Sequence, residues 1–361
     1  MITKWETLFI LIMTLPIMGH VAILPLIIDV AGRDAWIAIL ISFAAAFPFT
    51  FAIYKLRINH PDKSASELFA QLFGKWITIP LHIIFALYFL FLTIISFAGL
   101  VDVVYIDFFP ETPRIALILW FLPFFLYAAS KGYKRIALTA SVLALIGLIT
   151  GHTVTLMDTP KKDWSELLPV LEFGWSPVLL GSLILTSIWV EMLLLLFIPL
   201  RDPKEKRLFL LWTIGILLNG LMMFSTTTGA ITIFGLGQAD NFNYPAQEIV
   251  RIINLGFIDR FDIYGMILMT LGSYIRCSLY FRIANDMSLS ANASKWIKRS
   301  MYVLLIFVTV IGTLYLTKDF FRLQEAINVY AYMIVLYPLP FLLLVVSWRK
   351  KKKAEKKTTK T

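Results

Sequence analysis

Cysteine is all but missing from this chain, which has one, Cys277, in 361 residues. A single thiol inside an apolar run builds neither a disulfide framework nor a thiolate metal cluster, so both are excluded. Histidine is nearly as scarce: four residues, none at metal-ligand spacing to another. Charge is thin as well, with Asp, Glu, Lys and Arg at 16%, too little to clothe a soluble domain of this length. Phosphate loops, HExxH and GxSxG motifs and carboxylate pairs at enzyme spacing are absent, which removes the chemistry those motifs serve. An enzyme is not supported, and neither a cofactor nor a metal is expected.

What the chain has is apolar sequence: 59% hydrophobic residues and a mean hydropathy of +0.78. A helix crossing about 30 Å of hydrocarbon needs roughly 20 apolar residues. Ten runs meet that need, at about 7–30, 35–54, 76–101, 115–130, 136–157, 175–199, 208–236, 263–284, 300–317 and 326–348. Their hydrophobicity is continuous, where a barrel strand would alternate, so helices are the spanning elements. The expectation is an all-α integral membrane protein, with a ten-helix domain over 1–348 and a basic tail over 349–361. The first run is too long for a cleaved leader and leads straight into further spans, so it should be retained.

The formal charge of +10 is placed unevenly. With the N-terminus inside, 24 of the 33 Lys and Arg residues fall on inside segments and eight outside, and Arg276 lies within a run. Both termini are therefore expected on the cytoplasmic side. The tail WRKKKKAEKKTTK, directly after an apolar run, reads as an anchor to anionic lipid and not as a nucleic-acid arm.

Ten spans suggest two five-helix halves of opposite orientation, about 1–170 and 171–348, each beginning with a discontinuous helix. In the first run, TLPIMGHVAILP, Pro16 removes a backbone donor and Gly19 permits unusual dihedrals, so the helix is expected to open there. The matching run, GWSPVLLGSLILTSIWVEMLLLLFIP, carries Gly181, Ser182, Thr186, Ser187 and an intramembrane Glu191. One of the two long outside loops contains NYPAQEIVRIINLGFIDRFD. Asn243 as a cap, Pro245 near the start and Ile249, Ile252, Ile253 and Phe257 on one face predict a short helix over the outer mouth.

An opened helix must turn its unpaired groups toward protein, water or ligand. Half-helix N-termini favour a carboxylate and freed carbonyls an ammonium, which together suit a zwitterionic amino acid. The alternative for Gly19 and His20 is a proline kink with a histidine bonded between helices. Glu191 reads as a proton-coupling carboxylate, as a prop for a broken helix, or as a protonated interhelical donor. Arg276 either pairs with Glu191 or snorkels to the interface, and snorkelling is the favoured reading. His82, His152 and Asn219 read as interhelical hydrogen-bonders.

Several segments together, PIMGHVAILP, AGRDAWI, IPLRDPKE and NYPAQEIVRIINLGFIDRFD, resemble the B subunit of bacterial spore germinant receptors. These endospore germination permeases belong to the amino acid, polyamine and organocation transporter superfamily. The likeness runs over nearly the whole chain. It implies an inverted five-plus-five fold with substrate held between broken helices 1 and 6. MGHVAILP lies over a pattern similar to GSGxFxxP, with His20 where that pattern has glycine, and IWVE matches only the Glu of FxGxE. Carried over, Gly19, His20, Thr186, Ser187 and Ile188 would bind the ligand, Ser96, Phe97 and Tyr274 would wall it, and Glu191 would support helix 6 or couple an ion. The resemblance further implies an amino-acid-like germinant, an A subunit and a lipoprotein C subunit as partners, and the spore inner membrane as location. The competing expectations are a proton-coupled amino acid transporter and a scaffold for partner subunits.

Overall fold

The structure, a computed structural model, describes residues 1–253, 261–289 and 293–358. Its helices are α1 (Lys4–Ile17), α2 (Ile23–Ala31), α3 (Ala35–Asn59), α4 (Ala65–Phe73), α5 (Lys75–Asp107), α6 (Arg114–Lys131), α7 (Tyr133–Asp158), α8 (Trp175–Val190), α9 (Leu194–Phe197), α10 (Leu208–Phe234), α11 (Leu236–Ala239), α12 (Pro245–Arg251), α13 (Asp262–Ser288), α14 (Lys295–Leu316), α15 (Phe320–Ala331) and α16 (Leu339–Thr358). Among the described residues there is no sheet, only a lone parallel bridge between Ile2 and Leu200.

The helix ends follow local chemistry. Thr3 with Glu6 and Ser64 with Glu67 form capping boxes at α1 and α4, satisfying donors that a helix start leaves open. Gly32 and Gly74, at φ 57° and 78°, turn the chain between helices in a region that side chains rarely enter. All ten apolar runs are helical. Eight helical stretches among the described residues are long and apolar enough to cross a membrane, against the ten expected from the runs. The two differences have physical causes. The first run is divided at Met18–Ala22, so α1 alone is too short, and α2 is joined to α3 in one long stretch. The helix α13 carries Arg276, Ser273, Ser278 and Tyr280, which lower its hydropathy.

The expected openings are changes of hydrogen-bond register, and the backbone remains helical at both. Met18–Ala22 is a π-helical turn joining α1 to α2, and Glu191–Leu193 is a 3-10 turn joining α8 to α9. Pro16 explains the first, since a helix that lacks one donor must shift its pairing. The expected outer helix is present as α12, buried through Ile249 with Ile253 just beyond its end. Tyr244 and not Asn243 precedes it, with no side-chain cap, and Pro245 takes the first position. Phe257 lies outside the described residues.

The core is built around α13, which packs along α5 more extensively than any other pair, and around α1, set against α7, α10 and α13. Ahead of α1, Ile2 exchanges backbone hydrogen bonds with Pro199 and Arg201, each 2.8 Å. Beside it the buried Arg57 donates to Leu196 O at 3.3 Å and Ile198 O at 3.1 Å, capping the end of α9.

Candidate functional site

Four-residue spacing puts Gly272, Arg276 and Tyr280 on one face of α13. At Gly272 that face meets α1: an added Cβ would lie 2.5 Å from Ile17 Cδ1 and 3.4 Å from the Met13 carbonyl oxygen. This close approach carries Arg276 inward, and it is fully buried. Its guanidinium donates to both oxygens of Glu191, at 2.5 and 2.6 Å. It also donates to Ser96 Oγ and to the carbonyl of Thr14, each at 2.6 Å. The phenols of Tyr280 and Tyr330 donate to the two Glu191 oxygens, both at 2.6 Å. Arg276 therefore does not snorkel. An intramembrane carboxylate without a basic neighbour in sequence finds its partner from another helix, because an unpaired charge there is the costlier outcome.

The cluster joins α1, α5, α13, α15 and the turn after α8. Its tie to α1 follows from the altered helix register. The Met18 N–H, which a regular α-helix would give to Thr14 O, bonds to Leu15 O, and the Thr14 carbonyl accepts from Arg276. The Ser96 hydroxyl in turn donates to Leu92 O at 2.5 Å. The hydroxyl of Tyr88, close enough to feel the Glu191 charge, has no partner.

Of the expected site residues, Ser96 and Glu191 meet in this cluster. Thr186 and Ser187 give their hydroxyls to carbonyls of α8 itself, Ser182 O and Ile184 O, and Ile188 is fully buried. Phe97 packs edge-on against Phe125 of α6, centroids 5.1 Å apart. Tyr274 is half-buried against the core. Gly19 backs onto α10, where an added Cβ would meet the Met223 side chain at 2.8 Å. His20 is in the π turn, and its side chain lies outside the described residues. Asn219 bonds to Leu11 O at 3.3 Å across the α10–α1 contact, as an interhelical hydrogen-bonder should.

Open space lies one turn of α13 away, at Gly272. A cavity of about 420 Å³ is bounded by α1 at Met13, Pro16 and Ile17, by α7 at Gly147, Gly151 and His152, by α10 at Met222, by α12 at Gln247 and by α13 at Gly272. Its walls are mainly apolar. Leu156 and Leu221, both exposed, line its edge, so it opens between α7 and α10. These two helices are bridged there by a 3.0 Å hydrogen bond between Thr155 and Ser225.

At the top, α12 is held by Tyr244, whose phenol donates to Asp102 of α5 at 2.5 Å, and by Arg251, paired with Asp107 at 2.8 Å. Burial and the Asp102 carboxylate push the Tyr244 phenol well above its ordinary pKa, so it stays a donor. Of the cavity residues, Pro16, His152 and Ile249 stood out in the sequence, as a helix breaker, an interhelical hydrogen-bonder and a face of the short helix. The rest are common apolar and small residues whose convergence depends on the fold. Tyr280 and Tyr330 were missed: the four-residue spacing from Arg276 is the signal that points to Tyr280, and Tyr330 has no local signal.

A family model described as spore germination protein matches residues 1–322. The chain is 30% identical over 359 residues to Spore germination protein XB of Bacillus anthracis, covering 98% of this chain and 99% of that protein. It is 24% identical over 345 residues to Spore germination protein KB of Bacillus subtilis (strain 168), covering 91% of each. Among solved structures, a substrate-bound outward-open Na⁺-coupled sialic acid symporter matches with a TM-score of 0.64 at 14% identity, over 92% of this chain and 78% of that one. That last likeness is one of fold.

Proposed function

The chain belongs to the spore germination protein family, and from that premise we propose that it is the germinant-sensing subunit of a spore germination receptor. It is an integral membrane protein of permease type with a transporter-like fold. In the proposal its ligand is a small amino-acid-like germinant, its membrane is the spore inner membrane, and both termini face the cytoplasm. Its partners are a receptor A subunit and a lipoprotein C subunit. The ten runs are then two inverted halves, 1–170 and 171–348, and the basic tail over 349–361 lies against anionic lipid.

The observation that carries the reading is the cavity beside the π turn. It sets a solute-sized space against the last turn of α1, at Met13, Pro16 and Ile17, directly before the π turn, and against a short helix tied down by polar contacts. A ligand there would favour one arrangement of α1 and α12, and a sensor works by that difference in affinity between states. The germinant is accordingly assigned to this cavity, next to the turn that holds Gly19 and His20, with Glu191 supporting α1 through Arg276. Thr186, Ser187, Ile188, Ser96, Phe97 and Tyr274 lie outside the cavity lining and are proposed to act through the packing of α5, α8 and α13.

Sensing and proton-coupled transport are separated by one comparison. In proteoliposomes holding only this chain, the proposal expects saturable binding of one amino acid and no accumulation under a pH gradient. Uptake that follows the gradient would overturn it in favour of a transporter.

A further inference from the structure

A backbone carbonyl, a hydroxyl and a carboxylate converging at a helix irregularity are the oxygen ligands from which membrane proteins make alkali-cation sites. Here such a set converges on α1, α5 and the turn after α8: Thr14 O, Ser96 Oγ and both Glu191 oxygens, all within 2.5–2.6 Å of guanidinium nitrogens. The centre of the set is taken by Arg276, which is fully buried with Glu191. Its fork reaches three chain segments at once, as a bare ion would, but it is covalently fixed to α13.

We infer that Arg276 is a tethered cation filling an oxygen cage that would otherwise take Na⁺ or K⁺. The conformational balance of this chain is therefore independent of alkali cations, and removing the guanidinium uncovers a site for one. The cage is neutral overall with Arg276 in place, since one carboxylate faces one guanidinium. Without Arg276 the buried carboxylate keeps its two phenol donors but has no counter-charge, and a small monovalent cation restores neutrality by drawing in the same oxygens from the wider ring that the guanidinium spans. A purely structural ion pair makes a different prediction: after its loss the carboxylate stays uncompensated, or takes a proton, whatever salt is present. The inference does not depend on which germinant binds.

The test uses the full-length protein in lipid nanodiscs at constant ionic strength and mildly alkaline pH, with NaCl, KCl or choline chloride as the salt. For the wild type the melting midpoint should be the same in all three. Arg276→Ala and Arg276→Gln should melt lower in choline and recover saturably with Na⁺ or K⁺. The double variant Arg276→Ala, Glu191→Gln should lose that recovery. A wild-type midpoint that rises saturably with one alkali cation over choline would overturn the inference. So would folded Arg276 variants that respond to neither cation, or variants recoverable in none of the salts, because a cation should then have substituted.

Discussion

The buried centre of the molecule and its cavity both lie along the α1–α13 contact, with Gly272 at the cavity and Arg276 one turn further along α13 in the centre, and they solve opposite problems. In the centre the Arg276–Glu191 pair is completed by Ser96, Tyr280, Tyr330 and the Thr14 carbonyl, all in closed packing. In the cavity, mostly apolar and flexible side chains such as Met13 and Met222 surround open space with a lateral edge. A saturated polar cluster has one good arrangement, whereas an apolar space lined by methionine accepts several. The comparison assigns stability to the centre and ligand response to the cavity, and variants should separate the two.

The sharpest break should come from Glu191→Gln. It leaves a buried guanidinium without its carboxylate, a loss of about 3–5 kcal/mol, read as a large drop in melting midpoint. An unchanged midpoint would show that the pair is dispensable. Tyr330→Phe removes one phenol from the same carboxylate and should cost about 1.5–3 kcal/mol, the range for a hydrogen bond to a charged group. Gly151→Phe acts on the other region. An added Cβ at Gly151 meets only Met222 Cε, at an ordinary 3.8 Å, so the ring enters the cavity and stability should move by no more than about 0.5 kcal/mol. Ligand response should nevertheless disappear, and if it survives while stability falls the assignment is reversed. The smallest effect is expected at the half-exposed Arg322–Asp319 pair, 3.1 Å apart. Arg322→Ala should change stability by less than about 1 kcal/mol, which shows how far the worth of the central pair depends on burial.

The sequence displayed the helices well, because apolar length is a local property and every one of the ten runs is helical. It also displayed the place of strain, since Pro16 lies just before the π turn. What it did not display was the form of that strain, a change of register with the helix retained. Nor did it fix which face of each helix turns inward. The direction of Arg276 follows from the close approach that Gly272 permits, and the apolar spacing of α13 alone does not reveal it. The cavity was still less legible: Gly147, Gly151 and Met222 are unremarkable in their own runs and acquire a role only when α7, α10 and α1 come together.

Binding of a panel of labelled amino acids to the full-length protein, with wild type beside Gly151→Phe and Thr186→Trp, tests the central claim most directly. Gly19→Trp is the poorer probe, since the Met223 contact behind Gly19 would force α1 from α10. The account predicts saturable binding of one amino acid that Gly151→Phe abolishes with an unchanged melting midpoint. Binding that persists in Gly151→Phe but is lost in a folded Thr186→Trp would contradict it, and would place the ligand between α1 and α8.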